Sequence, residues 1–362
     1  MSRTAVLAVS LGILSHGLVL APAAADVTIK LGTLAPRDGI FHQLLQQMDQ
    51  AWRQVSGGQV RLRIYPGGTM GGESAMVRRM RVNQIQAGLL SVSGLAEIRL
   101  EVTGLHSMPL MFRTLDEVDH VGEQLYPELE RLLLEKGFVV LFWADSGWVH
   151  FFSTQSIVRP NDLRRLKMFV TVGSPEQVDV MSAMGFKPVP LEATQIFPGL
   201  QTGLIDVAPM PPFFALAQQA YRPAPHMLQL NWAPLVGALV VNKQTWGKVD
   251  AGLRPALLKA AREAGARIKE AGRRESAEAI KTMQDKWGLN VYTVDRTVEV
   301  EWRALIDAVR PELRDRVIPP RISQKVKDLL AEYRATASSG RGASAGPDAA
   351  RQGPGPTPAG AS

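Results

Sequence analysis

No cysteine occurs anywhere in the 362 residues. That excludes disulfides, thiolate metal sites, cysteine nucleophiles and a lipid attached through a lipobox cysteine. An exported chain of this kind is stabilised by its core alone, which suits a large domain better than a small secreted one. Histidine is scarce as well. Beyond the first 25 residues only His42, His106, His120, His150 and His226 remain, and none pairs at metal-ligand spacing, so neither a metal nor another cofactor is expected. No G-x-S-x-G elbow and no acid–His–nucleophile arrangement is present, so an exported hydrolase, the alternative from another class, lacks its machinery. The glycine-rich GGTMGGES precedes a helical pattern as a phosphate cradle does, but it lacks the P-loop lysine and spacing. A turn that sets Glu73 and Ser74 at a helix start is the better reading.

What is present begins at the N-terminus. Met1 to Arg3 is short and basic, AVLAVSLGILSHGLVL is apolar, and APAAA offers an Ala-x-Ala cleavage site at Ala23 and Ala25. This is the plan of a secretory signal peptide over residues 1–25, with Asp26 as the mature start. Ser10, Ser15, His16 and Gly17 interrupt the run, and no later segment reaches the roughly 18 apolar residues of a membrane span. A periplasmic, soluble protein without a lipid anchor is the expectation. Hydrophobic residues make up 46% and charged residues 21%, enough for a sizeable core. The formal net charge of +7 raises the question of nucleic acid. The basic residues are nevertheless interleaved with acids, as in KAAREAGARIKEAGRRESAEAIK, which reads as a solvated helix face and not a phosphate-binding one.

Strand and helix patterns alternate along the first part of the chain. VTIKLGTLAP is a strand, FHQLLQQMDQAWRQVSGG a helix closed by Gly57 and Gly58, QVRLRIYPGG a half-buried strand, ESAMVRRMRVNQIQAG a helix and LLSVSG a short strand. Such alternation argues an α/β sheet with parallel strands. A long helix follows from Thr114 to Gly137. FVVLFWADSGWVHFFS is then long enough for two strand segments or for one strand crossing between domains. KMFVTV, SPEQVDVMSAMG and IDVAP form a second strand–helix–strand set, and APLVGALVVNKQTW reads as a strand returning to the first unit. A helical pattern over 251–287 would extend roughly 50 Å at 1.5 Å per residue, long enough to span two lobes. The expected organisation is lobe I over 26–150, with the return at 233–250 and the C-terminal helices. Lobe II takes 151–232, a bridging helix 251–287 and C-terminal helices 288–336. The stretch 337–362, rich in Gly, Pro, Ser and Ala, reads as a disordered tail.

Five segments taken together carry a resemblance: IYPGGTMGGESAMVRRM, AGLLSVSG, SMPLMF, WADSGWVHFFSTQSIVRPNDLRRLKMFV and MGFKPVPLEATQIFPGLQTGLID. In this order and spacing the chain resembles the periplasmic solute-binding proteins of tripartite ATP-independent periplasmic (TRAP) transporters, from about Val27 to Tyr333. The resemblance implies an α/β, two-lobed clamp of the periplasmic-binding-protein kind, with central mixed sheets and a long bridging helix. It also implies no catalysis, a small-molecule ligand in the interlobe cleft, and membrane permease subunits as partners.

The departures from the family pattern bear on the ligand. The resemblance places a carboxylate-reading arginine on the strand after the D-L-x-x-L-K turn, where this chain has Phe169. A second arginine position falls on Val149, the polar turn of the family becomes DVAPMP with Pro209 and Met210, and an expected glutamate falls on Gln195. A cleft that has exchanged a bidentate guanidinium for rings and aliphatic groups desolvates a carboxylate without pairing it. A ligand that is not a simple carboxylate, apolar or aromatic and even amphiphilic, is therefore expected. A divergent protein that traffics or senses a hydrophobic ligand is the alternative within the same fold. Candidate ligand contacts are Phe169, Trp148, Val149, His150, Gln195, Met210, Phe213, Trp232 and Arg37. Most have a plainer reading. Phe169 fills a strand's core face, the tryptophans are core, DVAPMPPFF is a rigid loop, and Arg37 lies on a solvated loop.

Overall fold

Val27, Ile29 and Leu31 are buried while Thr28 and Lys30 are exposed, the period-two pattern of a half-buried strand, β1 (Val27–Thr33). The computed structural model describes residues 26–173, 175–309 and 311–343. The signal-peptide expectation for 1–25 lies outside these residues. β1 is flanked in parallel by β2 (Val60–Tyr65) and β3 (Ala87–Ser91), the core of the first lobe. The chain then enters β4 (Phe138–Ser153), β5 (Lys167–Thr171), β6 (Lys187–Leu191), β7 (Val207–Met210), β8 (His226–Asn242) and β9 (Asn290–Thr293). All belong to one mixed sheet of order β2-β1-β3-β8-β4-β7-β5-β6, with β9 beside β8. The second lobe repeats the parallel arrangement in β7-β5-β6, and the antiparallel pair β4–β8 joins the two.

β4 and β8 have 16 and 17 residues, roughly 50 Å of extended chain each, so both run through both lobes. FVVLFWADSGWVHFFS is thus one crossing strand and not two segments. The lobe boundaries expected at 150/151 and 232/233 fall inside these strands. The pairing between them slips at three places, the middle one between Asp145 and Trp148. There Gly147 takes a φ of 76°, a left-handed conformation that favours glycine, and its N–H donates to Asp145 Oδ1 at 3.0 Å.

The bridging helix spans Arg254–Trp287, 34 residues and about 51 Å long, and lies against β4. Ser276 Oγ donates to Ser146 O at 2.9 Å, and Arg273 grips Asp145, so the helix holds the irregular middle of the crossing strand. At the first-lobe end, Trp52 Nε1 donates to Leu257 O at 2.9 Å.

The C-terminal helices divide between the lobes instead of joining the first alone. Arg296–Asp307 buries Trp302 against Phe151 and Phe186, and Arg316 of the helix Pro311–Val317 pairs with Asp179 of the second lobe at 3.0 Å. The last helix, Pro320–Ala343, packs on Leu115–Glu135 of the first lobe, where Arg334 pairs with Glu117. Its backbone remains helical past Ala337, where the tail was expected to begin; the rest of that tail lies outside the described residues. Two hydrophobic clusters cover the two faces of the sheet. Met168 and Val170 belong to one, and Phe169 to the other, which the bridging helix covers. Among the described residues no helix is long and apolar enough to cross a membrane.

Candidate functional site

Strand ends and the middle of the crossing strands converge on a cavity of about 220 Å³ between the lobes. The first lobe contributes Thr33, Glu73 and Ser91, and the second Phe169, Glu192 and Met210. Asp145, Val149, Trp232 and Gly237 come from the crossing strands. Ligands of open α/β sheets collect in such places, at strand ends where the connections diverge.

Of the candidate contacts, Phe169, Val149, Met210 and Trp232 come together on this cavity. Phe169 is 8% exposed and also belongs to the hydrophobic cluster under the bridging helix, so it packs in the core and walls the cavity at once. Trp148 and His150, the neighbours of Val149, do not line it. His150 is buried, with Nδ1 3.0 Å from Leu230 O, and burial pushes its pKa down to about 4 despite that bond, so it carries no charge at neutral pH. Phe213 stands one layer back, with ring centroids 5.0 Å from Phe41 and 4.4 Å from Phe214, the two rings that do line the cavity. Arg37 is exposed on the loop after β1, away from the lining. Gln195 is exposed, and its Oε1 accepts from Glu192 N at 3.1 Å.

The carboxylate near Gln195 is therefore three residues upstream. Glu192 lines the cavity where the resemblance had directed attention to Gln195. Burial raises its pKa, as does Glu97, while Arg78 works the other way. Glu73 was read only as a helix start, and it does open the helix Glu73–Arg81. Its side chain turns inward instead of capping. Oε1 accepts from Ser91 N at 2.7 Å, and Oε2 accepts from Ser91 Oγ at 2.6 Å and Gly94 N at 2.9 Å. Burial raises the Glu73 pKa against those three bonds. Asp145 was visible in the WADSG motif, and Arg273 occupies both its oxygens, at 2.9 and 2.6 Å. His106 Nδ1 lies 2.6 Å from Pro234 O, an acceptor, so Nδ1 carries the proton; burial lowers its pKa and keeps the ring neutral. Among the described residues, no lysine or arginine lines the cavity.

The same architecture recurs in known proteins. Residues 31–315 match the model of the bacterial extracellular solute-binding proteins, family 7. The chain belongs to that family. Among family 7 relatives, the C4-dicarboxylate-binding periplasmic protein DctP of Rhodobacter capsulatus is 21% identical over 309 residues, 84% of this chain and 91% of DctP. The 2,3-diketo-L-gulonate-binding periplasmic protein YiaO of Escherichia coli is 26% identical over 286 residues, 76% of this chain and 80% of YiaO. The solved sugar acid binding protein DctPAm of Advenella mimigardefordensis, in complex with galactonate, superposes with a TM-score of 0.79 at 16% identity. It covers 85% of this chain and 99% of its own. A TRAP periplasmic solute-binding protein from Shewanella oneidensis with bound succinate gives 0.78 at 19% identity, covering 84% and 100%. The two-lobed fold of the TRAP solute-binding proteins is thereby established for this family 7 protein, in a family of binding proteins rather than enzymes.

Proposed function

We propose that this protein is the extracytoplasmic solute-binding subunit of a TRAP-type secondary transporter. It captures a solute in the interlobe cavity and delivers it to membrane permease subunits. The solute is not one read through a guanidinium; it presents an apolar or aromatic body to the Phe169, Met210, Phe214 and Trp232 wall. The observation that carries this reading is the make-up of the lining, in which rings and aliphatic groups are present and no arginine or lysine is. Galactonate and succinate, bound by structural neighbours, each carry a carboxylate that this cavity would strip of water and leave unpaired.

Native mass spectrometry of the protein purified from the periplasm of producing cells tests this directly. A bound apolar or aromatic compound is expected, and a stoichiometric small organic acid would overturn the ligand assignment. Phe169→Arg supplies the complementary result. It is expected to weaken the co-purified ligand and to raise affinity for succinate by roughly tenfold or more, the scale of a charge-assisted pair, in calorimetric titrations. No change in either affinity would reduce Phe169 to core packing.

A further inference from the structure

The titratable groups on the cavity are all acceptors. Glu73 enters from the first lobe, Glu192 from the second, and Asp145 from a crossing strand; His106, with its proton on Nδ1, retains an acceptor at Nε2. Asp145 is already engaged by Arg273. Glu73 accepts three hydrogen bonds of the roughly four a carboxylate can take. Glu192 meets the first lobe at Gly72, the residue before Glu73. A Cβ on Gly72 would overlap Glu192 Oε2, so only glycine lets the carboxylate come this close. Its charge is felt at Glu73. Glu97, which accepts from Ser74 Oγ, stands with Glu192 on a neighbouring hollow, outside the cavity lining. The counter-charge there, Arg78, is solvent-exposed and lines the neighbouring hollow instead of the cavity.

From this arrangement, and resting on the solute-binding reading above, we infer that the solute carries a protonated amine on its apolar body, held between Glu192 and Glu73. Two carboxylates facing one cavity from opposite lobes oppose closure when both are ionised. An ammonium between them removes that opposition and supplies three donors to the carboxylates. A carboxylate adds a further negative charge. Lobe closure is then itself selective, because a cationic solute compensates the charges that meet on closing. The aromatic wall favours the same ligand, since ring faces attract ammonium groups.

Three compounds sharing one ring separate the possibilities in calorimetric titrations of the purified chain: phenethylamine, 2-phenylethanol and 3-phenylpropionate. Phenethylamine is expected to bind roughly tenfold or more tighter than the alcohol, with the carboxylate weakest. Glu192→Gln is expected to remove most of the amine's advantage over the alcohol, read as the ratio of the two affinities. Equal or tighter binding of the carboxylate, an amine preference untouched by Glu192→Gln, or binding of none of the three would overturn the inference. If the alcohol or carboxylate binds best, solute capture stands and only the ammonium assignment falls. If no compound binds and no ligand co-purifies, the solute-binding reading falls with it.

Discussion

Truncation of Trp302 to alanine is expected to lower stability by about 3–5 kcal/mol, the range for deleting a large ring from a packed interior. Trp302 is fully buried, at 0% exposure. Its ring lies 5.9 Å from Phe151, stacked, and 6.0 Å from Trp232, edge-on, while Nε1 donates to Val158 O at 2.9 Å. The alanine variant opens a void among three rings and leaves a carbonyl unpaired, and neither defect is readily relieved in a close-packed interior. Trp302→Phe keeps most of the ring and loses the hydrogen bond, so it should cost distinctly less. Trp232 also walls the cavity, so the alanine variant should bind solute more weakly even under conditions where it remains folded. Guanidinium titrations give the first number and calorimetry the second. A stability loss below about 1 kcal/mol would show that the Arg296–Asp307 helix contributes little to the second lobe.

That helix illustrates how far the sequence could be read. The amphipathic pattern of VEVEWRALIDAV announced a helix, but nothing local said which lobe it would cover, because its partners Phe151 and Phe186 are more than a hundred residues earlier. Periodicity likewise revealed β1, the long helix and the apolar run of β4. It left open whether that run was one strand, which only its pairing with β8 decides. Leu228, Leu230 and Trp232 alternate with Gln229 and Asn231, so the first half of β8 did carry a strand signal. Its meaning, a strand continuous with APLVGALVV, again depended on a distant partner. In the cavity, register with the resembled family led to Phe169 and Met210 because they sit on short regular strands, where spacing is preserved, and to Val149 through the glycine two residues before it in the crossing strand. It led to Gln195, which the fold leaves exposed on a short 3-10 turn, and passed over Glu192, the residue before that turn, which lines the cavity. Glu73 was legible as a helix start and illegible as a cavity carboxylate, since its ligands Ser91 and Gly94 reach it only through the fold.

Arg273→Leu is expected to be similarly costly, about 3–5 kcal/mol at neutral pH, for an electrostatic reason. The guanidinium bridges Asp145 on β4 and Asp119 on the helix Leu115–Glu135, with Nη2 2.6 Å from an oxygen of each. The Asp145 side chain is only 4% exposed, so the variant leaves a buried carboxylate with no countercharge of its own; Asp119 retains Lys269 at 3.1 Å. Burial opposes the charged form of Asp119, but hydrogen bonds from Arg273 and Lys269 outweigh it and hold its pKa below the ordinary value. A depressed carboxylate stabilises the fold fully above its unfolded pKa, about 4, and loses that contribution as pH falls through the lower folded value. The wild type should therefore lose stability on acidification below about pH 4, and part of that loss should be missing in Arg273→Leu. The gap between the two, measured by denaturant titration, should be wide at pH 7 and narrower at pH 3. A gap that stays constant across that range would mean that Arg273 acts through packing alone. Arg273→Lys should recover only part of the loss, because a single ammonium cannot span two carboxylates as a planar fork does. The same bridge ties the bridging helix to the slipped register beside Gly147, where β4 passes the cavity. Loss of solute affinity in Arg273→Lys out of proportion to its loss of stability would identify this bridge as the element that holds the crossing strand in its binding geometry.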